Sequence, residues 1–336
     1  MKRLLPVAVL LTLPGLAAAA AAPRLLHDAP LHASGLRLLV ADSRPFVLDV
    51  DSGRTTPVRG LGSTQNAVVS VVPVGRDAAL WVDRREGYLG AGVYSVRHGA
   101  AVARRIGTAW EVAPSADGRA VWLKSYRGAR RCTLAEVRLD GTVRTPARPL
   151  PCSARLVGSG TRPLLGRGGS LVDPATGRVL LRAANVLAVT GRYAVGESGG
   201  RLWVADFATG RRRALRWPST LAYADAPAVA PGGRLIALGF ADPAYGGGAT
   251  QVADAWLLDP ASGRLTRVPG LPAAVALKFT SMSWTADGRL VWLAESGGRD
   301  VVAVWRPGRR RLSVRPVRIP RRTGGSDTFA AWEAPQ

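Results

Sequence analysis

Seven glycine-centred turns, each preceded by a short apolar run and followed by a basic one, constrain this chain of 336 residues more than any other feature. They are Asp51-Ser52-Gly53-Arg54, Arg97-His98-Gly99, Leu139-Asp140-Gly141, Asp173-Pro174-Ala175-Thr176-Gly177-Arg178, Phe207-Ala208-Thr209-Gly210-Arg211, Asp259-Pro260-Ala261-Ser262-Gly263-Arg264 and Arg306-Pro307-Gly308-Arg309. Glycine supplies the left-handed backbone position that tight hairpins need. The runs between the turns are short and strand-like, and no amphipathic stretch is long enough for a helix. A beat of roughly 40–45 residues with several strands in each beat is the pattern of a β-propeller. Length alone would suggest two domains at about 150 residues each. The repeat overrides that, because each blade buries its faces only against its neighbours and the ring must close as one unit.

The last repeat is the clearest. Residues 281–284 read as an inner strand, 285–289 as a turn and 290–294 as a second strand. Residues 301–305 form a third strand, Pro307-Gly308 turns the chain, and 311–317 form a fourth. Blade boundaries are expected at 36–61, 67–107, 109–151, 153–184, 186–220, 223–271 and 277–320. The first blade is one strand short, since 37–40, 46–50 and 55–59 match only the second to fourth strands. The tail Thr328-Phe329-Ala330-Ala331-Trp332 resembles residues 281–284 and would supply the missing inner strand, removing an open sheet edge. The expected fold is therefore an all-β, seven-bladed β-propeller over residues 36–336, closed by a C-terminal strand. Residues 23–35 are expected to be an N-terminal tail.

The repeats Ser115-Ala116-Asp117-Gly118-Arg119, followed by a β-run, and the aliphatic-Asp-x-x-Thr/Ser-Gly-Arg turns at 173–178 and 259–264 resemble the WD40-like repeat of TolB-type propellers. In that family Pro-Asp-Gly-Lys/Arg and Asp-x-x-Thr-Gly-Glu mark the same turns. The resemblance spans nearly the whole chain after residue 22 and implies the propeller fold. The Gly-His and Trp-Asp signatures of true WD40 repeats and a TolB-specific N-terminal domain are not seen, so no function transfers with it.

Residues 1–22 read as a signal peptide. Lys2 and Arg3 form a positive start, 4–13 are apolar, Pro14-Gly15 breaks any helix, and 17–22 are alanines suited to a signal peptidase. The apolar run is shorter than the ~20 residues of a membrane span and contains Pro6. A secreted chain with no transmembrane span after cleavage is expected. The only cysteines, Cys132 and Cys152, flank two strands joined by the Asp140-Gly141 turn, and export favours a disulfide between them. The formal net charge is +23, and the only lysines are Lys2, Lys124 and Lys278, so the charge is almost wholly arginine. Arginine spread over solvated outer strands accounts for that, while attraction to an anionic partner is the functional alternative. A nucleic-acid partner has charge alone in its favour and is disfavoured.

All the tight turns should lie on one face of the ring, and the second-to-third-strand loops on the other. Those loops are 83–92, 125–131, 197–200, 241–254 and 295–300, and they differ greatly in length. Variable loops on a rigid scaffold are where binding concentrates. Candidate binding residues are Arg84, Arg85, Tyr88, Tyr126, Arg127, Arg130, Arg131 and Tyr245, since Arg and Tyr offer contact area together with polar groups. No catalytic residue is assigned. Gly196-Glu197-Ser198-Gly199-Gly200 has the spacing of a nucleophile elbow but links two strands, and Glu295-Ser296-Gly297-Gly298 repeats it. Zinc spacing, a complete calcium loop at 49–53 and a phosphate loop are all missing, so neither metal nor cofactor is expected. Trp81, Trp122, Trp292, Trp203, Trp256 and Trp305 fall at strand positions suited to packing between blades.

The reading is a secreted, monomeric binding or scaffolding module whose partner is a protein or an anionic cell-surface polymer. One alternative is a propeller hydrolase or lyase using channel carboxylates, with or without a metal, for which Glu111 and Asp225 are the candidates. The other is arginine-driven association with an anionic wall or membrane surface.

Overall fold

The structure, a computed structural model, describes residues 25, 27–41, 45–60, 68–76, 78–84, 91–127, 131–157, 163–183, 185–221, 223–241, 250–271, 273–276, 282–296, 299–320 and 329–333. The segment read as a signal peptide lies outside them. Seven antiparallel sheets, each built around four strands, succeed one another along the chain. Blade 2 comprises Val68–Val74, Ala78–Arg84, Ala91–Arg97 and Ala103–Ala109. Blade 3 comprises Glu111–Pro114, Ala120–Tyr126, Arg131–Arg138 and Val143–Pro151. Blade 4 is Arg155–Val157, Leu164–Arg167, Ser170–Val172 and Val179–Arg182, and blade 5 is Val186–Val189, Tyr193–Ser198, Arg201–Asp206 and Arg212–Leu215. Blade 6 is Tyr223–Val229, Ile236–Ala241, Thr250–Asp259 and Arg264–Arg267, and blade 7 is Met282–Trp284, Leu290–Ser296, Arg299–Trp305 and Leu312–Pro316. The only helical element among the described residues is a single 3-10 turn, Pro231–Gly233. None of their helices is long and apolar enough to cross a membrane.

Period-2 alternation decides how the blades stack. In blade 7, Leu290, Trp292, Ala294, Val301, Ala303 and Trp305 face blade 6, in a cluster with Ala237, Ala255 and Leu257. Their neighbours Val291, Leu293, Val302 and Val304 face blade 1, against Leu38, Phe46 and Leu48. Both faces of a central strand are thus covered, which is why these runs are apolar without a break. The same sorting yields seven apolar clusters among the described residues, one between each neighbouring pair of blades. The tryptophans serve this packing: Trp122, Trp203, Trp292 and Trp305 are all buried. Fourth-strand arginines cover the aromatic faces that remain, as where the Arg212 guanidinium sits 4.3 Å from the centre of the Trp203 ring. Part of the arginine excess is thereby structural.

Blade 1 is completed by chain exchange. Leu36–Val40, Phe46–Asp49 and Thr55–Pro57 are its second to fourth strands, and Phe329–Glu333 pairs antiparallel with Leu36–Val40 as its inner strand. Phe329 and Ala331 enter the cluster shared with blade 7, while Ala330 and Trp332 enter the one shared with blade 2. The N-terminal segment adds something the sequence does not announce. His27–Pro30 pairs in parallel with Leu312–Pro316 as a fifth strand of blade 7. The chain then crosses to blade 1, held by Arg289 donating to the Ser34 carbonyl at 2.6 Å and by Arg315 donating to the carbonyls of Leu31 and Asp51. Both chain ends therefore lock one seam. A second unannounced strand, Ala273–Ala276, pairs with the first residues of Thr250–Asp259.

The recurrent turns have a common hydrogen-bond plan. The carboxylate of Asp173, Asp206 or Asp259 accepts from the backbone N–H two residues on, and its carbonyl accepts from the turn glycine's N–H. In blade 1 the capping residue is Asp49, which accepts from Ser52. Asp51 instead accepts from Ser34 N–H, the Ser34 hydroxyl and Gly35 N–H, tying the N-terminal crossing to the turn. Backbone approach between adjacent turns also demands glycine: a Cβ on Gly118 (φ +66°) would lie 2.8 Å from the Gly75 Cα. The first-to-second turns of blades 5, 6 and 7 and the third-to-fourth turns of blades 6 and 7 line a single cavity of about 870 Å3, including Arg192, Gly232, Asp259, Gly288 and Pro307. These turns of blades 5, 6 and 7 share one face, as the sequence reading requires of them.

These aspartates couple the fold to acid. The Arg192 guanidinium, bonded to Asp206 at 2.7 Å, lowers that carboxyl to about 2, aided by the Ala208 N–H. The Ser262 hydroxyl and N–H lower Asp259, and the Thr142 N–H and hydroxyl lower Asp140. Each is ionised more readily in the folded than in the unfolded chain, so its contribution is complete above about pH 4 and fades as the pH falls toward the folded value. Urea midpoints are expected to decline from about pH 4 to pH 2, less steeply in Asp206→Asn than in the wild type. An unchanged midpoint over that window would contradict the turn assignment.

Candidate functional site

The face opposite the tight turns carries the second-to-third-strand loops and the connections from each outer strand to the next inner strand. Of the candidate binding residues, Arg85, Tyr88, Arg130 and Tyr245 lie outside the described residues. Arg84 closes the strand Ala78–Arg84, and its side chain is likewise outside them. Tyr126, Arg127 and Arg131 are described, and they come together at one place, the loop end of blade 3.

That end is built by the register of three strands. Tyr126 pairs with Cys132, so the second strand ends where the third begins, and Arg127 N–H donates to the Arg131 carbonyl at 2.7 Å. Cys132 and Cys152 form a disulfide across Cα atoms 5.1 Å apart, at a sequence separation of 20. The bridge clamps the third strand to the end of the fourth. Lys124, almost fully buried, donates to the Cys152 carbonyl at 3.0 Å and to Glu111 at 2.9 Å. The second Glu111 oxygen accepts the N–H of Leu156, the middle residue of the blade 4 inner strand. One carboxylate thereby joins the inner strands of two blades.

This geometry revises the role foreseen for Glu111. Named as a possible channel acid, its carboxylate is bonded to an ammonium and a backbone amide and acts as a strut between blades. The side chain of Asp225, the other candidate, lies outside the described residues. Other strand carboxylates are bonded in a similar way. Glu136 accepts from the Ser115 and Thr145 hydroxyls, and Asp254 accepts from Arg267 and the Trp256 indole. Gly199 and Gly200 form a two-residue turn between Tyr193–Ser198 and Arg201–Asp206, so the elbow-like motif sits in a hairpin. No group of three or more His, Cys, Asp or Glu residues among the described residues could hold a metal ion.

Sequence reading missed two residues of this face. Trp110 is the single residue between the last strand of blade 2 and the first of blade 3, and it is 51% exposed. Its N–H donates to the Lys124 carbonyl at 2.6 Å, which fixes it at the same end of the blade as Tyr126. The available signal was an aromatic residue in a connection too short to bury it. Arg155, which opens the inner strand of blade 4 and is exposed, adds a third arginine to Arg127 and Arg131. No described carboxylate pairs with any of the three. The loop end of blade 3 is thus a disulfide-clamped edge with an exposed indole, a phenol and the Arg127 and Arg131 guanidiniums, next to the blade 4 strand that Arg155 opens.

No protein-family model matches the sequence, and no curated protein sequence matches it. Solved structures resemble it in fold. A functionally unknown protein from Desulfotomaculum acetoxidans is 12% identical with a TM-score of 0.55, over 89% of this chain and 99% of that one. The periplasmic gluconolactonase PpgL of Pseudomonas aeruginosa is 14% identical with a TM-score of 0.53, over 89% and 99%. TolB from Acinetobacter baumannii is 13% identical with a TM-score of 0.47, over 88% of this chain, which spans 66% of the TolB chain. At such identities the likeness speaks to the propeller fold alone, and one fold hosts unrelated functions.

The clamp sets a measurable expectation. Closing a loop of this length stabilises by about 3 kcal/mol in the chain-entropy account. Replacing both cysteines with serine, or adding reductant, should lower the unfolding free energy read from urea melts by that order. A variant as stable as the wild type would show that the bridge does not constrain the blade.

Proposed function

We propose that this chain is an extracytoplasmic binding module that engages an anionic partner through the loop face of its propeller, at the end of blade 3. The observation that carries the reading is the exposed Trp110 at the same blade end as Tyr126, Arg127 and Arg131, with Arg155 opening the adjacent inner strand, on an edge held by a disulfide. Indole and guanidinium groups on a pre-ordered surface recognise a partner with little loss of side-chain freedom. Arginines that no described carboxylate pairs favour negative charge on that partner. Export is supported by the leader-like residues 1–22 and by the Cys132–Cys152 bridge, a bond that persists in oxidising compartments. The bonding of Glu111, Glu136 and Asp254 to structural partners draws those carboxylates away from the hydrolase or lyase alternative.

A biosensor assay against an anionic polysaccharide such as polygalacturonate tests this. Trp110→Ala and the pair Arg127→Ala/Arg131→Ala should each weaken binding by about tenfold or more, with melting temperature unchanged. If those variants bind as the wild type does while 0.3 M salt abolishes binding by all of them, diffuse arginine charge is the better account.

A further inference from the structure

Strand register sorts the loop end of blade 3 into two flanks. Along Ala120–Tyr126, Trp122 turns toward blade 4, in a cluster with Leu156 and Leu165. Lys124 shares that flank, bonded through Glu111 to the Leu156 N–H. Ser125 turns the other way, its hydroxyl donating to the Thr108 carbonyl of blade 2. By the same period-2 alternation Tyr126 stands on the blade 4 flank, level with its pairing partner Cys132. Leu134 packs toward blade 4 as well, whereas Ala135 and Val137 pack toward blade 2. Cys132 therefore belongs to the blade 4 flank and Arg131 to the blade 2 flank.

Blade 4 brings two more arginines to this end. Leu165 pairs with Val172, and both face blade 3. Two residues nearer the loop, Arg167 pairs with Ser170, and Ser170 pairs with Arg182. Arg167, Ser170 and Arg182 thus form one row on the side of blade 4 that faces blade 3. Both arginines are exposed, and no described carboxylate pairs with either. The turn between Arg167 and Ser170 is Gly168-Gly169, which carries no side chain and lies open, since an added Cβ at either would meet nothing within 4 Å. Packed sheets stand about 10 Å apart, and Arg131 points away from that layer. One compact anion held by Arg167 and Arg182 does not reach Arg131. A chain of successive anions spans both flanks.

Resting on the blade 3 reading, we infer that the partner is a linear acidic polysaccharide lying across the loop end of blade 3, and that Arg167 and Arg182 form a second carboxylate-binding subsite on blade 4. The exposed Trp110 indole offers a flat apolar face to a sugar ring, and guanidinium forks match carboxylates. Two subsites on one rigid frame make affinity grow with the length of the chain that bridges them.

Isothermal titration of the full chain with digalacturonate and with a galacturonate decamer tests this. Wild type should bind the decamer at least about tenfold more tightly than the dimer. Arg167→Ala/Arg182→Ala should lower decamer affinity by about tenfold, leave dimer affinity within about twofold, and keep the melting temperature. Arg264→Ala/Arg309→Ala, beside the tight turns of blades 6 and 7, removes the same charge and should bind as wild type does. The inference is overturned if the Arg167/Arg182 variant holds the decamer as wild type does while Trp110→Ala loses it; the blade 3 reading then stands alone. If Trp110→Ala and Arg127→Ala/Arg131→Ala hold the decamer and the Arg167/Arg182 variant loses it, the blade 3 reading fails and the blade 4 subsite stands. Equal losses in the Arg264/Arg309 variant, or no decamer binding by wild type, overturn both. Tighter binding of an oligothymidylate of equal charge overturns the polysaccharide assignment.

Discussion

Every blade in this ring depends on its neighbours for burial, and so the whole depends on the seam where the chain ends meet. Phe329–Glu333 supplies the inner strand of blade 1 and alternates its side chains between blades 7 and 2. Without it two apolar layers would face water at once. Burying an aromatic side chain such as Phe329 or Trp332 contributes roughly 1.5–3 kcal/mol. The larger effect is topological, since an open ring leaves both an unpaired strand edge and an uncovered sheet face. His27–Pro30 on the outer edge of blade 7 reinforces the same junction from the other terminus.

Closure has consequences for the candidate site. A rigid ring sorts its connections, so that self-satisfied Asp-capped turns occupy one face and the loops of variable length the other. The loop end of blade 3 is further stiffened by the Cys132–Cys152 bridge and the Glu111–Lys124 strut, which makes Trp110 and its arginine neighbours a fixed surface.

Much of the architecture was legible because it rests on local chemistry repeated seven times. Turn glycines, alternating apolar runs and the likeness of 328–332 to 281–284 located the blades, the closing strand and the short first blade. The disulfide followed from hairpin geometry and an even cysteine count. What escaped depended on long-range partners. His27–Pro30 has no β-branched residue and becomes a strand only because Leu312–Pro316 offers an edge. The division of labour between Asp49 and Asp51 depends on Ser34, and the role of Glu111 depends on Lys124 and on Leu156 in the next blade.

The closed ring is tested most directly by native-state hydrogen exchange read by mass spectrometry on peptides spanning 36–40 and 329–333. In a ring closed by the C-terminal strand, both peptides exchange slowly and together, at rates comparable to the central strand Leu290–Ser296. Fast exchange of 329–333, at the rate of an unstructured chain while that central strand stays protected, would contradict the account.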